Sequence, residues 1–528
     1  MPSRGGVAFS NAVIAIVLIV IIIAGIILWI TKPWSVEPVT TTTSTTRPEY
    51  SQLTIGVVSS KIVLDPAVAD DYVSWEILSK VMEGLVKIDP KTGAIKPGIA
   101  EKWSTPDNGL TWIFILRKGV KFADGTELKA EDVVRSIQRV MIIRGSYSWL
   151  VTEFVYNIQA LNDTAVMIKL KKSVQDFPVI ASLPVYYIVH PNYPLQNPVP
   201  GATYGGVGPY KIDSVTTNQI ILSVNPNYYG EQPGTKKLVF KLYPSSSDLR
   251  SALENGEIDI AWWGLTQEDA AKLKSEGYNV ITSDKTAVKI LALKVSGTRP
   301  THLPEVRKAI AYAVDPQAVS NALQGDYDEP VLSVIPSNYI GYTEAYKNYT
   351  GKMIDKSKEL LRKAGYGEFN LLRLTLIISS STYGSSDLAI ANEIKKDIEE
   401  TGVAFVEIKD LPHDAFLGAI LTGDYDMALI TLYPIYPDPA FYIMLSVYSK
   451  ANKYLGIGYV NPQADTQIEL ALSTVDYSLR ARIYETIQTT YLSHDVPLVP
   501  LVEFPTFAAM KSDITGVEIL PNMFLSTP

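Results

Sequence analysis

Residues Leu238 to Trp263 read LVFKLYPSSSDLRSALENGEIDIAWW, and residues Ala404 to Tyr433 read AFVEIKDLPHDAFLGAILTGDYDMALITLY. Each begins with a strand (LVFKLYP, AFVEIKD) and passes into a helix that starts near Asp248 or Asp414. Each then reaches a glycine, Gly256 or Gly423, that suits a helix C-terminus. An acidic turn follows, and then a buried strand beginning at Ile258 or Met427. Each segment is therefore a βαβ unit, whose two strands lie parallel in one sheet. Two such units predict two α/β lobes with a cleft between them, and clefts at domain interfaces are the usual place for small-molecule sites.

Outward from this repeat, Ile99 to Val140 reads as strand, turn and helix. Trp112, Phe114 and Leu116 fall on one strand face. Asp124-Gly125 supplies a turn that needs positive φ. Val133, Val134, Ile137, Val140 and Met141 then recur at helical spacing. The wording Leu116-Arg117-Lys118-Gly119-Val120, Asp124-Gly125 and Ala130-Glu131-Asp132-Val133 resembles the family 5 extracellular solute-binding proteins, the peptide receptors of ABC importers. Gly206-Val207-Gly208-Pro209-Tyr210, Asn225-Pro226-Asn227-Tyr228-Tyr229, the helix Pro304 to Asp315, Lys363-Ala364-Gly365-Tyr366 and Asp495-Val496-Pro497 are similar to further family motifs, so the likeness covers nearly all of the chain after Gln52. It implies an α/β two-lobed periplasmic-binding-protein-like fold of type II with an extra subdomain in lobe one. Lobe one is then expected at 51–95, 198–297 and 490–528, the inserted subdomain at 96–197 and lobe two at 298–489.

The 528 residues are 47% hydrophobic and 19% charged, which describes a globular chain with room for two or more cores. A formal net charge of −8 without a basic stripe argues against nucleic acid as a partner. Cysteine is absent, which excludes disulfides, thiol nucleophiles, Cys-zinc sites and a lipid attached through cysteine. The four histidines (His190, His302, His413, His494) include no i, i+4 pair, and no metal or cofactor is expected. With no Gly-x-Ser-x-Gly elbow and no His-Glu-x-x-His helix, the chain does not read as an enzyme. Two other classes stay open: a surface-anchored carbohydrate or peptide hydrolase working through paired carboxylates, and a surface binding or structural protein without a transport role.

Val13 to Ile30 is an apolar run that spans most of a hydrocarbon core of about 30 Å, flanked by Trp29 and Trp34. Residues 1–34 are expected to form an N-terminal transmembrane helix that anchors the chain, although a cleaved secretion signal is the other reading. Arg4-Gly5-Gly6 resembles an archaeal pilin-type signal. Residues 35–50, with Thr40 to Thr46, read as a Ser/Thr-rich stalk. The expected location is the cell membrane, single-pass, with the binding domain outside.

Both echoed strands end in aromatics, Trp262 and Trp263 in one lobe and Tyr433 and Tyr436 in the other, and aromatic faces clamp peptides or stack on sugars. Trp262 is the stronger candidate of the adjacent pair. Asp71 and Tyr72 after the first strand, with Ser380, Ser381 and Tyr383 after the strand Leu372 to Ile378, are expected at the cleft mouth. The resemblance implies that Ile435 occupies the position where peptide receptors place an aspartate for the ligand's α-amino group. Asp438 is the nearby substitute, with capping of the Asp-Pro turn as its alternative role. An isoleucine offers an ammonium no charge, so peptide and oligosaccharide ligands stay equally open. Either would be delivered to permease and ATPase subunits on separate chains, since no phosphate-binding loop is present.

Overall fold

The computed structural model describes residues 48–89, 92–199, 204–323, 328–384, 386–434 and 436–528, with Thr382 and Tyr383 described by backbone alone. The expected anchor at 1–34 and nearly all of the stalk at 35–50 lie outside the described residues, as does Ile435. Among the described residues no helix is long and apolar enough to cross a membrane.

Two sheets organise residues 48–528. The first has seven strands, in the order Asn279–Thr282, Phe507–Met510, Ile260–Ala261, Leu53–Val58, Lys237–Tyr243, Gln219–Val224 and Tyr210–Val215. The second has six, in the order Glu329–Pro330, Leu498–Phe504, Ala287–Leu293, Met427–Leu432, Leu372–Ile378 and Ala404–Asp410. In each, the βαβ unit straddles a central strand. Lys237–Tyr243 and Ile260–Ala261 flank Leu53–Val58, both parallel to it. Ala404–Asp410 and Met427–Leu432 flank Leu372–Ile378 in the same way.

The repeated acidic turn has one job in both lobes. Asp259 accepts the backbone N–H of Thr54 at 2.8 Å, and Asp426 accepts that of Thr375 at 2.7 Å. In return, the backbone N–H of each aspartate bonds the carbonyl of the same threonine. Each carboxylate thus clips the end of the crossover to the central strand and satisfies a backbone donor of that strand. The glycine before each clip is left-handed, with Gly256 at φ +75° and Gly423 at φ +68°, where a Cβ would be strained. Asp426→Ala takes the acceptor from a half-buried N–H and should cost about 1–2 kcal/mol, measured as a lowered urea midpoint.

The segment Ile99 to Val140 forms the two leading strands of a four-stranded antiparallel sheet, Ala100–Ser104, Thr111–Leu116, Ala165–Leu170 and Val155–Asn162. The helix Ala130–Ile143 packs on it. Trp112, Phe114 and Leu116 are buried together, as their alternation predicts.

Sheet membership moves the expected lobe boundaries. Ala287–Leu293 and Leu498–Phe504 were expected with lobe one, but they pair with each other and with Met427–Leu432 and Glu329–Pro330 in the second sheet. The chain therefore crosses between sheets at 283–286 and 505–506. These two crossings lie side by side: Ser283 N–H donates to the Thr506 carbonyl at 3.0 Å, and Thr506 N–H donates to Ser283 Oγ at 2.9 Å. A two-segment crossing of this kind is a natural hinge, because few residues need absorb the φ/ψ change of domain closure.

Candidate functional site

A cavity of about 810 Å³ lies between the two sheets. Lobe one contributes Ser245, Ser246 and Arg250 from the crossover helix, together with Trp263, Thr266 and Asp269. Lobe two contributes Lys289, Asp328, Ser380, Ser381, Ser386 and Tyr433. The second crossing closes the base with Phe504, Pro505, Thr506 and Phe507. That size falls within the range of about 300–1,000 Å³ typical of small-molecule sites.

The aromatic wall is built from both lobes. Tyr72, first residue of the helix Tyr72–Val81, stacks face to face on Trp263 at 4.5 Å with 7° between planes. Tyr433 tilts against Trp263 at 4.8 Å and meets Tyr72 edge-on at 5.5 Å. The Tyr72 hydroxyl donates to the Pro434 carbonyl at 3.0 Å, a hydrogen bond from lobe one to lobe two. Burial raises the Tyr433 phenol well above its ordinary range. The lobes meet elsewhere too: Lys61 Nζ lies 2.8 Å from Asp414 Oδ1, and Lys453 lies 3.4 Å from Glu153 of the inserted subdomain.

The two tryptophans exchange their expected parts. Trp262 is 1% exposed and belongs to the lobe-one core, while Trp263 lines the cavity. Adjacent strand residues point to opposite faces, and here the pairing of Ile260–Ala261 with Leu53–Val58 decides which face is inward. Tyr436 is likewise buried in the core.

Asp71 caps the helix Tyr72–Val81, accepting the Ser74 N–H at 2.8 Å and the Ser74 hydroxyl at 2.5 Å. Asp438 caps the helix Pro439–Val447 through the Ala440 N–H at 2.7 Å. Neither carboxylate lines the cavity. Ser380 and Ser381 do line it, and Ser380 is held by Asp410 through its N–H at 3.0 Å and its hydroxyl at 2.5 Å.

Burial pushes the Asp438 carboxyl up to about 6. Arg480 Nη2 is 3.8 Å away, but that guanidinium is closer to Asp176, so desolvation dominates. The folded state therefore keeps a proton between about pH 4 and 6 that the unfolded chain gives up. Its stabilising share is full below about pH 4 and is lost as pH rises through 6. Asp438→Asn keeps a good cap and removes this slope, of at most about 1.4 kcal/mol per pH unit. Urea midpoints at pH 4.5 and 7 should show the variant gaining on the parent as pH rises.

Sequence reasoning missed Lys289, Asp328 and Arg250. Lys289 carried a signal, since it is the one charge in the buried strand AVKILAL, Ala287–Leu293. Its side chain is 3% exposed and its ammonium pairs with Asp387, whose side chain is fully buried. Arg250 pairs with Asp269 and lies 3.3 Å from Glu254. Burial lifts the Asp328 carboxyl to about 6, against the opposing pull of Lys289 and Lys285. Among the described residues no group of three or more His, Cys, Asp or Glu could hold a metal ion. The acidic residue Asp426 is taken up by its backbone clip to Thr375. The cavity offers a ligand aromatic faces, hydroxyls and a few fixed charges.

Named proteins align with most of this chain. The glutathione-binding protein GsiB of Escherichia coli O6:K15:H31 (strain 536 / UPEC) is 26% identical over 500 residues, covering 89% of this chain and 92% of the relative. The probable D,D-dipeptide-binding periplasmic protein DdpA of Escherichia coli (strain K12) is 25% identical over 489 residues, with the same coverage of both chains. A similar fold is seen in the ABC transporter-associated periplasmic binding protein DppA from Helicobacter pylori in complex with peptide STSA. That structure has a TM-score of 0.82 and 22% identity, with 91% of this chain and 98% of the other covered. The model of the bacterial extracellular solute-binding proteins, family 5 Middle, matches residues 94–454, more than half of the sequence, and the chain belongs to that family.

Proposed function

We propose that this chain is the substrate receptor of an ABC importer, tethered outside the membrane by residues 1–34. It closes on a short peptide or an amino-acid-derived solute and presents it to permease and ATPase subunits on other chains. The observation that supports this reading best is the cavity of about 810 Å³ walled by both lobes, which only two adjacent crossings join. A ligand touching both walls favours the closed state by its difference in affinity between closed and open forms. The curated relatives bind glutathione and dipeptides by name, and family membership makes binding without turnover the expected behaviour.

The oligosaccharide reading rests on a separate observation: Trp263 and Tyr433 stand beside the hydroxyls of Ser245, Ser380 and Ser381, a mixture that also suits sugar rings. Thermal melts of the protein with tripeptides, glutathione and neutral trisaccharides separate the two. A true ligand at 100 times its dissociation constant adds about 2.7 kcal/mol of stability. Chromatography of the same mixtures should return the ligand intact. Cleavage products would overturn the receptor reading in favour of a hydrolase.

A further inference from the structure

We propose that the inserted subdomain is a clasp. Its Glu153, Lys172 and Asp176 grip Lys453, Glu469 and Arg480 of lobe two, and this joint outside the cavity holds the lobes closed. The inference goes beyond the receptor reading, and its test uses no ligand, so its failure leaves solute binding untouched.

The subdomain has a joint on either side, and the two differ in kind. The joint to lobe one is sealed. Arg139 of the helix Ala130–Ile143 meets Asp65 through two hydrogen bonds of 2.6 Å, with side-chain exposures of 1% and 0%. Asp65 also accepts the Val199 N–H at 2.7 Å. Gly145 lies so close to lobe one that a Cβ there would sit 2.2 Å from the Ala67 carbonyl oxygen. Parting such a joint strands buried charge, so the subdomain travels with lobe one.

The joint to lobe two is polar and loosely packed. Lys172 pairs with Glu469, Asp176 pairs with Arg480, and Glu153 lies 3.4 Å from Lys453. The Gln175 N–H donates to the Leu472 carbonyl at 2.9 Å, and Trp149 stacks on Tyr454 with centroids 5.7 Å apart. Lys172 and Lys453 are half exposed, and the joint encloses a cavity of about 40 Å³ bordered by Glu153, Lys172 and Glu469. Opening about the crossings at 283–286 and 505–506 carries lobe two away from lobe one, and therefore from the subdomain. All of these contacts must then part. Exposed ion pairs are individually weak and return to water at little cost, as a joint that opens and shuts requires. None of these residues lines the interlobe cavity. Closure thus has a part that no ligand touches and that salt screens.

The chain has no cysteine, so Ser275→Cys on lobe one and Asn392→Cys on lobe two, both exposed, accept spin labels without background. Their helices, Gln267–Ser275 and Ser386–Glu399, begin at the cavity on opposite walls, so electron–electron resonance between the labels reads opening. The full, unliganded chain is used in an Asp414→Asn background, which removes the ion pair of Lys61 between the lobes. Raising salt from about 0.02 M to about 0.5 M should increase the open-to-closed ratio several-fold. Lys172→Gln with Lys453→Glu removes one pair and makes another repulsive. It should raise the ratio at least about 5-fold at low salt and flatten its rise with salt. Adding Glu153→Lys rebuilds the second pair with its charges exchanged and should recover much of the closure, which a damaged fold would not. Equal ratios in the parent and the Lys172→Gln, Lys453→Glu variant would overturn the inference. So would a distance that salt leaves unchanged in the parent, or a failure of Glu153→Lys to restore closure.

Discussion

Alanine in place of Asp387 is expected to lower the stability of the protein by about 3–5 kcal/mol, the largest effect foreseen for any single substitution discussed. Asp387 belongs to the helix Ser386–Glu399, and its carboxylate meets the Lys289 ammonium with side-chain exposures of 0% and 3%. The pair gains Coulomb energy in a low dielectric but forfeits the hydration of both ions, so its net worth is small. Removing one partner is different, because it leaves the buried Lys289 ammonium without its closest counter-charge. The double replacement Lys289→Met with Asp387→Leu should therefore regain most of what Asp387→Ala loses. Urea midpoints of the two variants and the parent check this ordering. A cost below about 1 kcal/mol for the single variant would mean that water reaches the pair.

The second large effect falls on Trp263. Trp263→Ala removes the ring that Tyr72 stacks on and Tyr433 leans against. Aromatic pairs contribute about 0.5–1.5 kcal/mol each beyond the area they bury. The contact with Tyr433 is the one that crosses between the lobes, so its loss with the apolar area of the indole should take about 1–2 kcal/mol from the closed state. The ligand-free variant should show a larger radius of gyration in solution scattering, and any ligand that binds the parent should bind at least about 30-fold more weakly. Trp262→Ala, by contrast, should lower the melting temperature of lobe one through a core cavity. The two neighbouring tryptophans thus separate closure from folding.

What could be read in the sequence was whatever depends on local pattern. The two βαβ units show as a repeat because helix, glycine and acidic turn are consecutive residues, and the common role of Asp259 and Asp426 explains why the turns resemble each other. Lobe boundaries were misjudged because Ala287–Leu293 is apolar throughout, and nothing in such a strand says which of two sheets it joins. The choice between Trp262 and Trp263 turned on parity, which is set by pairing with a strand some two hundred residues earlier. Asp71 and Asp438 look like site residues from their neighbourhood, yet each satisfies the first turn of a helix. Asp328 had no local signal at all. It comes under the pull of Lys285 and Lys289 only in the folded chain.

The stacking of Tyr72 on Trp263, with Tyr433 arriving from the opposite lobe, has an optical consequence. Separation of the lobes would uncover one indole to water, so intrinsic fluorescence should shift to longer wavelength on opening and back on capture. The unlabelled protein would then report each closure in real time, through a chromophore placed where the guest arrives.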